Sequence, residues 1–276
     1  MYPVWLNGEL LTPDTARVDV FDHGLTVGDG VFETMRTEGG VPFAMTRHLH
    51  RLRRSLAGLG LTLDRDDDEL RDAMVAVAAA LPGPGKVRLT VTAGRGPAGS
   101  GRAAPGEGAM TTYITADDLD PWPLTGAAIT VPWRRNEHSP VAGLKTTSYA
   151  ENVVALSAAK DAGADEALFA NTAGDLCEGT GSNVFVVLGD EVVTPPLSSG
   201  CLAGVTRALV VEHGGVNERP LPLSVLAEAD EVFLTSSTRD VQGLHRVDDR
   251  TFDAPGPHTA RLAAAFAALA AADVDP

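Results

Sequence analysis

A lysine, a glutamate and a glycine-led helix start follow one another in the second half of the chain. Lys145 sits in Gly143-Leu144-Lys145-Thr146-Thr147-Ser148-Tyr149, Glu178 in Leu176-Cys177-Glu178-Gly179-Thr180-Gly181-Ser182-Asn183, and Gly204-Val205-Thr206 opens a helical run. Lys and Arg are scarce around Lys145, and its neighbours are apolar or small. Such surroundings favour the neutral amine, the form that makes an imine. A carboxylate can keep a pyridine nitrogen protonated. A helix N-terminus offers unpaired N–H groups and the positive end of its dipole to a phosphate. Each part alone has an ordinary reading: a solvated lysine, a turn-closing glutamate, a plain helix start. In this order and together they suit a phosphorylated pyridine aldehyde, pyridoxal 5′-phosphate.

The elements that must carry these groups are readable from periodicity and punctuation. Alternation predicts strands over 4–6, 17–20, 32–37 and 41–45, the last two joined by the turn Glu38-Gly39-Gly40. Thr46 is placed to cap a helix carrying Leu49, Leu52, Leu56 and Leu59 at spacings of three and four. Arg47, His48, His50, Arg51, Arg53 and Arg54 share that helix and read mostly as a solvated basic face; neither histidine has acidic or Cys/His neighbours at ligand spacing. A second helix spans 66–81 and ends at Pro82-Gly83-Pro84-Gly85. Strands follow over 87–93 and 110–115, separated by a Gly-, Ala- and Pro-rich loop over 94–108 that contains Arg95 and Arg102. A loop of that length in a compact domain is usually functional or disordered.

The acidic, proline-bearing stretch Ala116-Asp117-Asp118-Leu119-Asp120-Pro121-Trp122-Pro123 is the best linker candidate. Beyond it the pattern predicts a strand over 127–132, a loop over 134–138, a helix over 149–162, and strands over 166–170, 182–188, 191–194 and 231–235. Helices are predicted over 204–213 and 257–272, and Ser236-Ser237-Thr238 closes the last strand. No internal repeat is present.

Composition narrows the classes. The chain has 276 residues, is 44% hydrophobic and carries a formal charge of −15. That is enough for a large core, and it argues against a nucleic-acid or anionic-membrane surface. No basic-then-apolar leader and no apolar run of about 18 residues is seen. The two cysteines, Cys177 and Cys201, form no CxxC, so a disulfide scaffold and a zinc knuckle are both unexpected, and no metal is called for. A cytoplasmic location with reduced thiols is the expectation.

Four collinear motifs carry a resemblance that covers nearly the whole chain. They are Asp22-His23-Gly24-Leu25-Thr26-Val27-Gly28-Asp29-Gly30-Val31-Phe32-Glu33, His48-Leu49-His50-Arg51-Leu52, the Lys145 run, and Glu178-Gly179-Thr180-Gly181-Ser182-Asn183-Val184-Phe185. The chain resembles the fold-type IV, or class IV, pyridoxal-phosphate enzymes, which include D-amino acid aminotransferases, branched-chain aminotransferases and aminodeoxychorismate lyase. The resemblance implies an α/β (α+β mixed) fold of two domains, a smaller one over 1–118 and a larger one over 125–276 that holds the lysine, joined by a linker over 119–124. It implies a cofactor in the interdomain cleft and a homodimer. It implies Lys145 as the Schiff-base lysine and catalytic base, Arg51 on the phosphate, and Glu178 on the ring nitrogen. Tyr149, Val205, Thr206 and Ser237 complete the cofactor contacts. Phe32, Thr34, Arg95 and Arg102 are expected at the substrate.

The member within the family is less determined. Gly28-Asp29-Gly30-Val31-Phe32-Glu33 looks most like the D-amino acid aminotransferases, while Arg95-Gly96 and the loop to Arg102 look like the lyases. Tyr149 lies four residues after the lysine, where branched-chain members place a tyrosine five after. The expectation is a transaminase acting on D-amino acids or broadly, moving an amino group between an amino acid and a 2-keto acid. Aminodeoxychorismate lyase, releasing pyruvate and 4-aminobenzoate, is the first alternative, and a branched-chain L-amino acid aminotransferase the second.

Overall fold

The computed structural model describes residues 1–104 and 108–276; residues 105–107, inside the loop expected over 94–108, lie outside the described residues. The chain forms two compact units. The first comprises Met1–Asp120, Leu144–Tyr149 and Asp273–Pro276, and the second Pro121–Gly143 and Ala150–Ala272. The Lys145 segment, assigned from sequence to the second domain, thus packs with the first unit. The cause is backbone pairing, described below, that adds it to a strand of that unit.

The first unit is built on an antiparallel sheet of β1 (Val4–Leu6), β2 (Glu9–Leu11), β3 (Gly30–Glu38), β4 (Val41–Pro42), β5 (Gly85–Thr92) and β6 (Thr111–Asp118), in the order β2-β1-β6-β5-β3-β4. A short helix α1 (His23–Thr26) precedes β3; α2 (Met45–Gly58) and α3 (Asp67–Ala78) separate β4 from β5. Leu49, Leu52 and Leu56 of α2 and Leu70, Met74 and Val77 of α3 close a core with Met35, Val87 and Ile114 of the sheet. Asp66 caps α3 by accepting the Glu69 N–H at 2.8 Å.

Two local expectations are corrected in this unit. No strand covers 17–20 among the described residues, because that alternating stretch has no neighbouring strand to pair with, and Val18 and Val20 stay exposed. Thr46 does not cap α2: the helix begins at Met45, after Ala44 in a left-handed conformation without a side-chain cap. The cap comes from the other end of the chain. Asp275 accepts the Thr46 N–H at 2.8 Å and the Thr46 hydroxyl at 2.6 Å, and Arg47 Nε donates to the Pro276 carbonyl at 2.7 Å. A carboxylate there satisfies an orphan donor and complements the helix dipole.

The second unit holds a nine-stranded mixed sheet of β7 (Thr125–Arg135), β8 (Glu166–Asn171), β9 (Leu176–Gly179), β10 (Asn183–Leu188), β11 (Glu191–Thr194), β12 (Asn217–Glu218), β13 (Glu231–Ser236), β14 (Asp240–Val247) and β15 (Arg250–Thr251). Its order is β12-β11-β10-β13-β14-β7-β8-β9, with β15 beside β14. Helices α4 (Ala150–Asp161), α5 (Val205–Gly214) and α6 (Pro257–Ala272) belong to this unit. Arg134 and Arg135, expected in a loop, extend β7 because they pair with Ala170 and Asn171 of β8. Inside the sheet the Phe185 and Phe233 rings stack at 4.7 Å between centroids, a contact that adds to area burial. Among the described residues no helix is long and apolar enough to cross a membrane, and no cluster of His, Cys, Asp or Glu could hold a metal ion.

Candidate active site

The chain has three lysines, Lys86, Lys145 and Lys160. Lys86 faces Asp117 at 3.2 Å on the sheet surface, and Lys160 is exposed in the last turn of α4. Lys145 is half-buried and fixed through its backbone. Phe32 N–H donates to the Lys145 carbonyl at 3.0 Å and Thr147 N–H to the Gly30 carbonyl at 2.8 Å, so the 145–147 segment bridges to β3 at Val31 and Thr146. The Thr147 and Ser148 hydroxyls both donate to the Gly28 carbonyl, at 2.9 and 3.1 Å. Lys145 N–H donates to the Ser55 hydroxyl of α2 at 3.2 Å. The Gly28–Phe32 part of the N-terminal motif is therefore the backbone cradle of the lysine.

Two aromatic rings lie against the amine. Lys145 Nζ lies 4.2 Å from the Phe32 ring centroid and 5.8 Å from that of Tyr149, and the two rings meet edge to face at 5.2 Å. The Arg88 guanidinium of β5 lies 3.7 Å from the Phe32 centroid, and Arg88 is paired in register with Thr34. Burial lowers the Arg88 pKa from its ordinary value. Nothing in the one-dimensional pattern set Arg88 apart, since in sequence it is one basic residue in an alternating strand.

Side chains alternate faces along a strand, so Glu33 leaves β3 opposite to Phe32. Glu33 is fully buried and receives Arg51 Nε at 2.8 Å and Arg51 Nη2 at 2.6 Å, a bidentate pair, and the His48 ring Nδ1 at 2.6 Å. Burial alone would raise the Glu33 pKa; the Arg51 charge and hydrogen bond, then those of His48, overcome it and hold the carboxyl down at about 2. Burial pushes the His48 imidazole below its ordinary range against the pull of Glu33, with Arg51 and Lys145 adding to the effect. His48 is thus no surface residue of a basic face. Its acidic partner is fifteen residues back, on a strand.

The loop arginines go elsewhere within the first unit. Arg95, exposed, reaches Asp19 at 2.9 Å. Arg102 pairs with Asp29 through Nε and Nη2, both at 2.7 Å.

In the second unit Glu178 is half-buried on β9. Its Oε2 accepts the Leu202 N–H at 2.8 Å, and its Oε1 lies 3.2 Å from Arg135 Nε. The Arg135 guanidinium in turn lies 4.0 Å over the Phe169 ring. Helix α5 begins after Gly204 with no side-chain cap, which leaves its first-turn N–H groups for another acceptor. Gly204 is required by space: a Cβ there would stand 2.1 Å from Asn183 Oδ1. Val205 and Thr206 of the first turn are buried, and Ser237 is half-buried in the turn between β13 and β14. An uncapped helix start and an oriented carboxylate are chemically suited to a phosphate and a protonated ring nitrogen.

The family model for amino-transferase class IV matches residues 30–247. A Methanocaldococcus jannaschii relative, provisionally named a branched-chain-amino-acid aminotransferase, is 34% identical over 91% of this chain and 89% of its own. The D-alanine aminotransferase of Bacillus licheniformis is 30% identical over 95% of each chain. Among solved structures, the branched-chain aminotransferase of Thermoproteus uzoniensis superposes with a TM-score of 0.88 at 27% identity, covering 96% of this chain and 93% of that one.

The Glu33 pair makes a pH prediction. Its pKa is depressed, so its stabilisation is complete above the ordinary value of 4.5 and is lost as pH falls toward about 2. Denaturant unfolding of the wild type and of Glu33→Gln should show a stability gap that is constant above pH 4.5 and narrows below it. A gap unchanged down to pH 2.5 would contradict the ionised pair, the interval being about two pH units.

Proposed function

Because the chain belongs to the class IV aminotransferases, which are pyridoxal-phosphate-dependent enzymes, we propose that it moves an amino group between an amino acid and a 2-keto acid at Lys145, with D-amino-acid or broad specificity. The observation that carries this reading is the setting of Lys145, the one lysine of three whose amine lies against two aromatic rings, on a segment hydrogen-bonded to β3. The similarity to a D-alanine aminotransferase supports the substrate class.

When bound, pyridoxal phosphate supplies an aldehyde carbon that condenses with amines and a ring that takes up the electron pair left at a substrate α-carbon. From the first unit Lys145 Nζ would hold the aldehyde carbon, and Arg51, oriented by Glu33, would give the phosphate a guanidinium charge. From the second, Glu178 would accept the ring N–H, with Leu202 and Arg135 fixing the carboxylate. The first-turn N–H groups of Val205 and Thr206 would take the phosphate, with Ser237 beside them in role. Lys145 Nζ, as a free amine, would be the base that takes the substrate α-proton and gives it back. Phe32 and Tyr149 cover the amine and limit its hydration. Arg88, whose guanidinium also packs on the Phe32 ring, would offer a charge to the substrate carboxylate. Arg95 and Arg102 would have to leave Asp19 and Asp29 to do the same.

A branched-chain L-amino acid aminotransferase is the second reading, favoured by the Methanocaldococcus jannaschii and Thermoproteus uzoniensis relatives. The protein loaded with pyridoxal phosphate should be mixed separately with D-alanine, L-leucine and aminodeoxychorismate while its absorbance is followed. We expect D-alanine to convert the cofactor to its amine form. Conversion by L-leucine and not D-alanine would give the branched-chain reading. Pyruvate release from aminodeoxychorismate, with return of the aldehyde form, would give the lyase.

The protein is further proposed to act as a homodimer. The first unit exposes Val18, Val20, Phe21 and Leu25 in one stretch, an apolar run that a second copy would cover. Sedimentation equilibrium at about micromolar concentration should give twice the chain mass, in the affinity range of a stable interface. A monomer mass throughout would contradict it.

A further inference from the structure

Glu166 is a carboxylate that none of the roles above uses. It opens β8 in the otherwise apolar run Ala167-Leu168-Phe169-Ala170 and is 1% exposed. An uncompensated charge there would be costly, so its partners identify its task. Oε1 accepts the Thr180 N–H at 2.9 Å and also the Thr180 hydroxyl; Oε2 accepts the Ser182 hydroxyl at 2.9 Å. The Arg239 Nη2 stands 3.5 Å from Oε2, with its guanidinium 4.0 Å over the Trp122 ring. Apart from the neighbouring Ala167 N–H, which Oε1 accepts at 3.1 Å, the carboxylate takes its hydrogen bonds from one turn, 179–182. Asn152 of α4 grips the same turn from its other pole by donating to the Thr180 carbonyl. The fit leaves no room for a side chain at Gly179, where a Cβ would stand 2.4 Å from Ser182 Oγ and 3.0 Å from Glu166 Cδ.

The two residues that flank this turn clamp one residue, Leu202, through its N–H and its carbonyl. Glu178, just before it, accepts the Leu202 N–H at 2.8 Å; Asn183, just after it, donates Nδ2 to the Leu202 carbonyl at 2.9 Å. That carbonyl also accepts the N–H of Gly204, the residue just before α5, at 2.8 Å. The conformation of the turn thus sets the separation of Glu178 and Asn183, and through Leu202 the placing of the first turn of α5.

We propose that Glu166 is a positioning residue: by holding the 179–182 turn it keeps the Glu178 carboxylate and the α5 N-terminus at a fixed spacing, so that one buried charge governs both the ring-nitrogen and the phosphate contacts of the cofactor. This rests on the aminotransferase reading above. A carboxylate suits the task because it accepts from three donors of one turn, whereas an apolar side chain would leave Thr180 and Ser182 unpaired in the interior.

The test uses the purified full-length protein loaded with pyridoxal phosphate. Glu166→Ala should weaken cofactor binding by about 10-fold or more and change the cofactor's absorption band and its pH dependence. Glu166→Gln keeps the size and an acceptor, and its amide can donate to Ser182, so it should restore the band and bring binding back to within about 3-fold. Val186→Ala, a core change elsewhere in the same unit, should lower the melting temperature and leave band and affinity alone. A Glu166→Ala protein with wild-type band and affinity, or a Val186→Ala protein with the same losses, would overturn the inference. If Glu166→Ala does not fold, Thr180→Val and Ser182→Ala should each weaken binding in the same direction, and wild-type values in both would overturn it. A wild type that binds no pyridoxal phosphate would defeat the aminotransferase reading itself.

Discussion

The pairing of the 145–147 segment with β3 is the constraint on which the first unit's chemistry depends. Two backbone hydrogen bonds, Phe32 N–H to Lys145 and Thr147 N–H to Gly30, make an irregular segment an extra rung of a sheet. A flexible lysine carries a large rotamer entropy, and pinning its Cα removes the backbone part of the search an amine must make to find its partner. The same strand then divides its labour by alternation. Phe32 faces the amine, and Glu33, one residue on, reaches the helix that carries Arg51. A shift of β3 by one residue would exchange these faces and lose both.

In each unit a buried carboxylate also orients a neighbouring group. Glu33 orients a guanidinium by a bidentate contact, and Glu166 orients a turn by accepting its donors. Burying a charge is unfavourable unless hydrogen bonds and opposite charge compensate it, and both sites supply these. What such groups provide over apolar side chains of like volume is direction. A carboxylate aligned with an Arg fork or a set of N–H and O–H donors tolerates little misplacement.

What was legible in the sequence is local. The bounds of α6 at Pro257 and Ala272, the start of α3 near Asp66 and the leucine face of α2 follow from periodicity and local punctuation. The four motifs were legible because their glycines, acids and basic residues are close-spaced. The contacts that complete them are not. His48 and Arg51 find Glu33 across a strand, α2 is capped by Asp275 from the opposite end of the chain, and Arg88 meets Lys145 through the shared Phe32 ring. No spacing rule links such positions. Strand β14 was missed because Gly243 and the polar Gln242 break its alternation, although both are buried in the sheet. Residues 17–20 show the converse: alternation without a partner strand gives no strand.

The most direct measurement of the central claim is chemical. Borohydride reduction of the protein loaded with pyridoxal phosphate, followed by peptide mass spectrometry, locates the amine that holds the cofactor. The chain has three lysines, Lys86, Lys145 and Lys160, and each modified peptide is distinguishable by mass. The account predicts a pyridoxyl mass on the peptide containing Lys145 and none on the other two. A modification confined to Lys86 or Lys160, or no modification at all, would contradict it.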